Sequence, residues 1–308
     1  MAQSKLLRIG TRGSKLALVQ ANMVKDRLAE LGTAAEIVIV KTTGDRIQDR
    51  PLADAGGKGL FTKELEEALY ANEADIAVHS MKDVPVALPK GLALTAILPR
   101  EDARDAFLSH NARTLAGLPQ GARVGTSSVR RQALVHRARP DIETVLLRGN
   151  VDTRLAKLDA GEYDAIILAT AGLNRLGLSA RITSPLEIQT WLPALAQGAV
   201  GIEHREANAD IAAAIAPLHH ETTAICVTCE RAFQAALDGS CKTPIGGHAI
   251  YDGNELSFAG EVLSPDGKEF ADTDFRLMLE SDPVEEAEQA GRAAGMALRW
   301  RAERWLQL

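Results

Sequence analysis

The stretch "LLRIGTRGSKLALVQ", residues 6–20, decides the fold class of this chain. It begins with a short apolar run that ends at Gly10, continues through a polar turn and enters a predicted helix after Ser14. Gly32 is the predicted end of that helix, and "EIVIV" (36–40) is a buried, β-branched strand. A strand, a helix and a second strand in this order predict an open α/β sheet. The side chains expected on the buried face of the helix are Ala17, Ala21, Val24, Leu28 and Leu31.

The alternation of strands and helices continues along the chain, and "PREDARDAF" (99–107) marks the start of a second α/β series. Between the first strands, the polar stretch 42–59 is longer than connections usually are, which predicts a mobile lid. The further strands predicted are "ADIAVHS" (74–80), "GLALTAIL" (91–98), "RVGT" (123–126), "TVLLRG" (144–149) and "AIILA" (165–169).

The C-terminal part of the chain has a different pattern, which predicts a small α+β domain. A helix is predicted at 221–236, followed by three short strands joined by hairpin turns at "DGN" (252–254) and "PDG" (265–267). A last helix is expected to begin at Pro283 with Asp282 as its cap.

The composition excludes several classes of protein. The 35 Lys+Arg and 41 Asp+Glu residues give a net charge of -6, and only 4% of the residues are aromatic, which is a poor basis for general nucleic-acid binding. A basic site in such a chain must be local, which favours small anionic ligands. We expect a cytoplasmic protein without a membrane segment, because it shows no secretory signal or long apolar stretch and its three cysteines are an odd number.

Cations follow five predicted strands at the point where each strand ends, which is where open α/β sheets bind ligands. Each cation could be a solvated surface charge, but five strand ends with the same feature favour a shared anion site. Asp83 lies among these cations and has two interpretations: an ion-pair partner of Lys82 or Arg12, or a carboxylate that stabilises a cation forming on a substrate. The five ends are "TRGS" (11–14), "HSMKDVP" (79–85), "TSSVRR" (126–131), "RGN" (148–150) with Arg154, and "TAGLNR" (170–175).

The cysteines also leave alternatives. Cys226 and Cys229 form a C-x-x-C beside two histidines, which suggests zinc or redox chemistry, yet Cys229 falls on an apolar helical stripe and is expected in the core. Cys241 lies in the loop "GSCKTPIGG" (239–247), where Lys242 would favour a thiolate. It is either a reactive sulfur or an inert loop cysteine.

An ordered series of motifs along most of the chain resembles the porphobilinogen deaminase (hydroxymethylbilane synthase) family. The motifs are "LRIGTRGSKLALVQ", "GGKGLFTKELE", "DIAVHSMKDVP", "EDARDAF", "VGTSSVRRQ", "LRGNVDTRLAKLDAGEYDAIILA", "AGLNRLGL", "QGAVGIE" and "GSCKTPIGG".

The resemblance implies two lobes similar to type II periplasmic binding proteins, each with an open mixed sheet, and a small α+β third domain. It places domain 1 at 1–99 with 197–217, domain 2 at 100–196 and domain 3 at 218–308. The implied enzyme is a monomer that condenses four porphobilinogen molecules head to tail, releasing ammonia each time, and ends with hydrolysis to hydroxymethylbilane. The chain would grow on a dipyrromethane cofactor held by a thioether to Cys241.

The resemblance also assigns roles to residues, with no metal among them. Asp83 matches the catalytic aspartate, and Cys241 matches the attachment point of the cofactor. Asp54 stands where relatives often carry a lysine, which puts in doubt a cationic role of the lid beyond Lys58. The implied cofactor ligands are Lys82, Ser80, Thr126, Ser128, Arg130 and Arg131; the implied substrate ligands are Arg12, Ser14, Arg148, Arg154 and Arg175; and the lid residues are Lys58 and Phe61.

A rival interpretation is a two-lobed, non-catalytic protein that binds small anions. Such a protein would have no use for the cysteine loop of the third domain.

Overall fold

Three β-sheets organise the chain in the computed structural model, which describes residues 6–46, 59–237 and 243–306. Within those ranges, two sheets have five strands and mixed directions, and one has three antiparallel strands. This confirms the predicted α/β class, with two open sheets and a smaller α+β unit. Among the described residues, no helix is both long and apolar enough to cross a membrane.

The first sheet inserts a strand from late in the chain between two early ones. Its strands are β1 (Leu7–Arg12), β2 (Ala35–Val40), β3 (Ile76–Ser80), β4 (Leu92–Ile97) and β10 (Val200–Arg205). Their order is β2-β1-β3-β10-β4, with β1 parallel to both neighbours and β10 antiparallel to β3 and β4. Ile202 therefore lies between Val78 and Ala96, deep in an apolar core.

The second sheet repeats this arrangement. Its strands are β5 (Asp105–Leu108), β6 (Arg123–Thr126), β7 (Glu143–Leu146), β8 (Ala165–Ala169) and β9 (Ser184–Leu186). Their order is β7-β6-β8-β5-β9, so three parallel strands are again followed by an antiparallel one. The chain passes from the first sheet to the second between β4 and β5 and returns between β9 and β10. The domain boundaries predicted from the resemblance stay a prediction.

Helices cover both larger sheets, and the helices predicted to begin after Ser14, at residue 221 and at Pro283 do so. Helix α1 starts after Ser14, which accepts a hydrogen bond from the Ala17 amide, and ends before Gly32, whose φ is +80°. The prediction that Leu31 is buried is wrong: it follows the last helical turn and is half exposed, because the helix has already ended there. The helices are α1 (Lys15–Glu30), α2 (Thr43–Arg46), α3 (Lys63–Tyr70), α4 (Val129–Ala138), α5 (Val151–Asp159), α6 (Thr170–Arg175), α7 (Ala209–Ile215), α8 (Glu221–Leu237), α9 (Pro283–Arg299) and α10 (Glu303–Leu306).

Most of the predicted lid, residues 47–58 with Lys58 and Asp54, lies outside the described residues. The part before it forms α2, and the part after it contributes Phe61 to the structure.

The third unit packs α8 and α9 on a hairpin sheet. Its strands are β11 (Ile245–Asp252), β12 (Glu255–Leu263) and β13 (Phe270–Met278), joined by the two turns that the sequence predicts. Asp282 caps α9 by accepting from the Glu285 amide at 3.1 Å. The two helices approach so closely that a Cβ at Gly291 would lie 2.2 Å from the Cys229 carbonyl oxygen.

A buried carboxylate ties α8 to the segments that cross between the two larger sheets. Glu230 is fully buried, and Arg100 donates to its Oε1 at 2.6 Å. The Glu230 carboxylate also accepts from the backbone amides of Ala196 and Ala249. Burial alone would raise the pKa of Glu230, but the charge of Arg100 and the hydrogen bonds outweigh burial and lower it to about 2.

We predict that Glu230 makes stability depend on pH in acid. Because its folded pKa is lowered from about 4.5 to about 2, its stabilising contribution is complete above pH 4.5 and is lost as the pH falls towards 2. Glu230→Gln should lower the free energy of unfolding at pH 7 by about 3–5 kcal/mol, since it leaves Arg100 buried without its counter-charge. Urea unfolding at pH 7, 5, 4 and 3 should show a shallower acid loss in the variant. Parallel acid profiles for the two proteins would contradict the assignment.

Candidate active site

A cleft of about 1220 Å³ lies between the strand ends of the two five-stranded sheets. Residues of the third unit line one side of it. Asp83 and Phe61 line it, together with most of the cations and hydroxyls that sequence reasoning selected. Those are Arg12, Ser14, Ser80, Lys82, Ser128, Arg130, Arg131, Arg148 and Arg154. The strand ends singled out by the sequence therefore meet around one space, although the roles of the individual residues stay predictions.

The cleft is strongly basic in a chain that is acidic overall. Among the described residues, nine basic and three acidic side chains line it. Such an excess of positive charge raises the local concentration of anions and suits a ligand with several carboxylates. The basic residues are Arg12, Lys15, Lys41, Arg46, Lys82, Arg130, Arg131, Arg148 and Arg154, and the acidic ones are Asp45, Asp83 and Asp152.

Three helices begin at the cleft, each with a side-chain cap. Ser14 caps α1, Ser128 caps α4 and Asn150 caps α5, and all three residues line the cleft. Thr126 is buried at the end of β6, and its Oγ1 accepts from the Ser128 amide at 3.2 Å. The positive ends of the three helix dipoles therefore add to the charge of the side chains.

Asp105, which sequence reasoning did not select, holds two of the arginines in place. It is fully buried, and its carboxylate accepts from Arg130 Nη2 at 2.7 Å and from Arg131 Nη2 at 2.6 Å. The Trp191 indole also donates to it, at 3.0 Å. Burial alone would raise the pKa of Asp105, but the charges of Arg130 and Arg131 hold it far below its ordinary value. The carboxylate is therefore ionised at neutral pH and fixes both guanidinium groups.

Gln197, which is buried beside the cleft, extends this network to the first sheet. Its side-chain amide donates to Asp105 Oδ1 at 2.8 Å, and its carbonyl oxygen accepts from Lys82 Nζ at 3.1 Å. The Lys82 side chain is exposed to the cleft, but the walls of the cleft displace part of its hydration. This desolvation, with the charge of Arg131, lowers the pKa of Lys82 to about 8. Lys82 remains mostly protonated at neutral pH.

Asp105 and Gln197 escaped the sequence reasoning because of strand direction. Sequence patterns single out residues at the end of a parallel strand, but β5 and β10 run antiparallel to their neighbours and so begin at the cleft edge. Asp105 is the first residue of β5, and Gln197 precedes β10. Asp105 lies within the "EDARDAF" motif, so the signal was present. It would have been found by considering the start of an antiparallel strand as well as the end of a parallel one.

Asp83 faces the cleft from a short turn, Met81–Asp83, that comes after β3. Arg12 Nη1 lies 3.9 Å from Asp83 Oδ2, which is a long contact for an ion pair. Arg12 is bound more closely by Asp45, with Nε 3.0 Å from Asp45 Oδ2, and its guanidinium stacks 4.0 Å from the centre of the Phe61 ring. Nearly a third of the Asp83 side chain is exposed, so its carboxylate is available to a ligand in the cleft.

Of the remaining predicted ligands, Arg148 and Arg154 line the cleft and Arg175 does not. Burial, with the charges of Arg131 and Arg148, lowers the pKa of Arg154 to about 10, and burial lowers that of Arg148 as well. Both lie at the cleft, where the guanidinium groups remain charged at neutral pH. Arg175 is not among the lining residues; its Nη2 donates to the Gly198 carbonyl at 2.6 Å.

Residues on both sides of the loop that contains Cys241 line the cleft. Cys241 lies outside the described residues, but Thr243 and Ile245, which come after it, line the cleft, as does Gln234 of the helix before it. Residues that precede and follow the cysteine in sequence, Gln234 and Thr243, are thus at the cleft.

The other two cysteines are core residues. Cys226 and Cys229 are buried against the apolar side chains of the third unit, which confirms the expectation for Cys229. Burial raises the pKa of the Cys226 thiol to about 11 and raises that of Cys229 further. Neither thiol is ionised at neutral pH, as a metal ligand or redox thiol would need. Among the described residues, no group of three His, Cys, Asp or Glu side chains could hold a metal ion.

Comparison with known proteins finds matches along most of the chain. A family model described as "Porphobilinogen deaminase, dipyromethane cofactor binding domain" matches residues 7–213, and one described as "Porphobilinogen deaminase, C-terminal domain" matches residues 224–299. A porphobilinogen deaminase from Nitrobacter hamburgensis is 55% identical over 272 residues, which cover 87% of this chain and 86% of the relative.

Solved structures with a similar course of the chain include periplasmic binding proteins. One is a periplasmic substrate-binding protein of an ABC transporter from Coxiella burnetii, with a TM-score of 0.45, 14% identity, and coverage of 71% of this chain and 93% of that one. Another is a nutrient binding protein from Burkholderia cenocepacia bound to methionine, with a TM-score of 0.43, 12% identity, and coverage of 68% and 90%. At these values the likeness adds nothing to the architecture that the three sheets define.

We predict that Asp105→Asn disorders the arginines of the cleft and destabilises the protein. Removing a buried charge that two guanidinium groups share should lower the free energy of unfolding by about 3–5 kcal/mol. The matched control is Asp141→Asn, since Asp141 pairs with Arg139 on the surface and its loss should change stability little. Urea unfolding of the three proteins checks this. Equal stabilities for Asp105→Asn and the control would show that Asp105 does not anchor the site.

Proposed function

The chain belongs to the porphobilinogen deaminase family, and from that premise we propose that it condenses four porphobilinogen molecules head to tail into hydroxymethylbilane, with loss of ammonia at each step. The observation that carries the proposal is the basic cleft, whose described lining includes an available carboxylate, Asp83. Each pyrrole brings an acetate and a propionate, so the growing chain needs many cations around a reacting centre that develops positive charge. A protein that only binds anions has no need of a carboxylate in that position.

The residues of the cleft fit a dipyrromethane cofactor. The buried Nε groups of Arg130 and Arg131 have no hydrogen-bond partner among the described residues, and neither has Thr243 Oγ1. These donors are therefore available to carboxylates, and Lys82, Ser80, Thr126 and Ser128 complete the proposed set. When bound through a thioether to Cys241, the cofactor supplies the free α-carbon on which the substrate units are added.

We assign Asp83 to the substrate's reacting carbon. Loss of ammonia from the protonated aminomethyl group leaves an electron-poor azafulvenium cation, and the Asp83 carboxylate stabilises its positive charge. The ring carbon that forms the new bond must then lose its proton, and Asp83 is the proposed base. Arg12 lies beside Asp83 and is held in place by Asp45, so it can bind a substrate carboxylate next to the reacting centre.

The arginines on the opposite side of the cleft are the proposed sites for the carboxylates of the elongating chain. Arg148 and Arg154 line the cleft together with Ser14 of the facing sheet. Arg175 donates to the Gly198 carbonyl, so its proposed part is to support the segment beside Gln197. Lys58 and Phe61 are the proposed lid contacts.

We also propose that the enzyme works as a monomer in the cytoplasm. In support, the cleft is lined by residues of one chain from both larger sheets and the third unit. The odd number of cysteines fits a reducing compartment.

We predict that Asp83→Ala abolishes turnover while the cleft still binds its ligands. Ammonia release from porphobilinogen should fall at least about 100-fold, because a preorganised charge opposite the reacting carbon is lost. Ammonia and hydroxymethylbilane are measured together, and circular dichroism checks the fold. The control is Asp159→Ala, which removes an exposed carboxylate that pairs with Arg181. Near-normal turnover in Asp83→Ala would refute its role, and a wild-type protein that binds porphobilinogen without releasing ammonia would favour the anion-binding rival.

A further inference from the structure

Arg231, a residue of α8 that does not line the cleft, contacts the backbone that comes after Asp83. Its Nη1 donates to the Val84 carbonyl oxygen at 3.1 Å. Its Nη2 donates to the carbonyl oxygens of Pro85 at 2.8 Å and Val86 at 3.0 Å. One guanidinium group of the third unit thus binds three successive carbonyls in the segment that follows β3 of the first sheet.

The turn that carries Asp83 is held on both sides, and the hydrogen bonds from Arg231 hold its C-terminal side. On its N-terminal side, Ser80 pairs with Val200 in the sheet, and the Met81 amide donates to the Ala199 carbonyl at 3.0 Å. On its C-terminal side, the Val84 amide donates to the Met81 carbonyl at 3.2 Å, and Arg231 binds the backbone from Val84 to Val86. The position of the Asp83 carboxylate therefore depends on a contact from another part of the fold.

The packing around Arg231 gives the contact a rigid base. Ala224 and Val227, on the same face of α8, are buried in an apolar cluster with Met81 and Val84 on either side of Asp83. Burial lowers the pKa of Arg231 to about 10, so the group stays charged at neutral pH. A rigid guanidinium that stays charged binds several carbonyls with little loss of side-chain entropy.

The same helix leads to the cofactor loop. Gln234, one turn after Arg231, lines the cleft, and α8 ends at Leu237, close in sequence to Cys241. A single helix is therefore bound to the Asp83 turn and continues into the loop that carries the proposed attachment point.

We propose that Arg231 is a positioning residue that sets Asp83 relative to the cofactor tether. Its three hydrogen bonds fix the turn Met81–Asp83 relative to α8. The Asp83 carboxylate therefore keeps its place relative to the cysteine loop, from which the pyrrole chain is proposed to grow. The inference rests on the role proposed for Asp83.

The test is Arg231→Met in the purified holoenzyme, with Arg139→Met as the matched control. Like Arg231, Arg139 binds three backbone carbonyls, in this case all through Nη1. They are those of Leu115, Ala116 and Leu118, in the lobe that does not carry Asp83. Because a displacement of about 1 Å can cost about 100-fold in rate, kcat for Arg231→Met should fall about 10- to 100-fold. KM for porphobilinogen should change less than threefold, and kcat of the control should be unchanged. Arg231→Lys, which keeps a charged donor, should recover part of kcat.

Stability and kinetics separate the possible results. If Arg231→Met lowers Tm as the control does but leaves kcat at the wild-type value, Arg231 is only structural and the inference is wrong. If Arg231→Met does not fold, Arg231→Lys decides: a reduced kcat at unchanged KM supports the inference, and a wild-type kcat overturns it. Normal turnover by Asp83→Ala would instead refute the role of Asp83, which distinguishes the two failures.

Discussion

The buried carboxylate of Asp105 is the interaction on which the rest of the cleft depends. Two guanidinium groups side by side in a desolvated site would repel each other, and each would be costly to bury alone. Asp105 lies between Arg130 and Arg131 and accepts from both, so that the two cations share one counter-charge. Gln197 carries the same network to Lys82 on the facing sheet. One acid thus fixes cations of both larger sheets while the cleft retains a large excess of positive charge.

This arrangement distinguishes Asp83 from the other acids of the cleft. Asp45 is bound to Arg12, and Asp152 pairs with Lys15 at 2.8 Å, so these carboxylates have close partners. Among the described residues, Asp83 has only a long ion-pair contact, with Arg12, and it is partly exposed to the cleft. An available carboxylate among fixed cations is an arrangement that can stabilise a carbocation on an anionic substrate. The cations bind the carboxylates that the substrate carries at every stage. The Asp83 carboxylate instead stabilises the positive charge that appears only during the reaction.

Much of the fold could be predicted because its signals are local. As expected, α1 begins after Ser14 and ends at Gly32, Asp282 caps α9, and both hairpins of the third unit form at their turn residues. The strands β5, β9 and β10 were not predicted from the residue pattern, since two are only three or four residues long and a buried strand need not alternate.

The candidate site could be predicted in part for the same reason. Cations at the ends of parallel strands are visible in sequence, and those of four of the five strand ends meet at the cleft. Asp105 and Gln197 could not be selected, because their place at the same edge depends on antiparallel pairing between distant segments. Arg231 is a further case, since its contact with the Asp83 turn joins residues that are 145 to 147 positions apart.

The central claim is that Cys241 holds a covalent cofactor in this basic cleft, and the intact mass of the purified protein tests it most directly. We expect a mass above that of the sequence by two linked pyrrole units, and the unmodified sequence mass for Cys241→Ser. Brief exposure of the wild-type protein to limiting porphobilinogen should add further units one at a time to the same protein. A fully active protein with an unmodified Cys241 would contradict the claim.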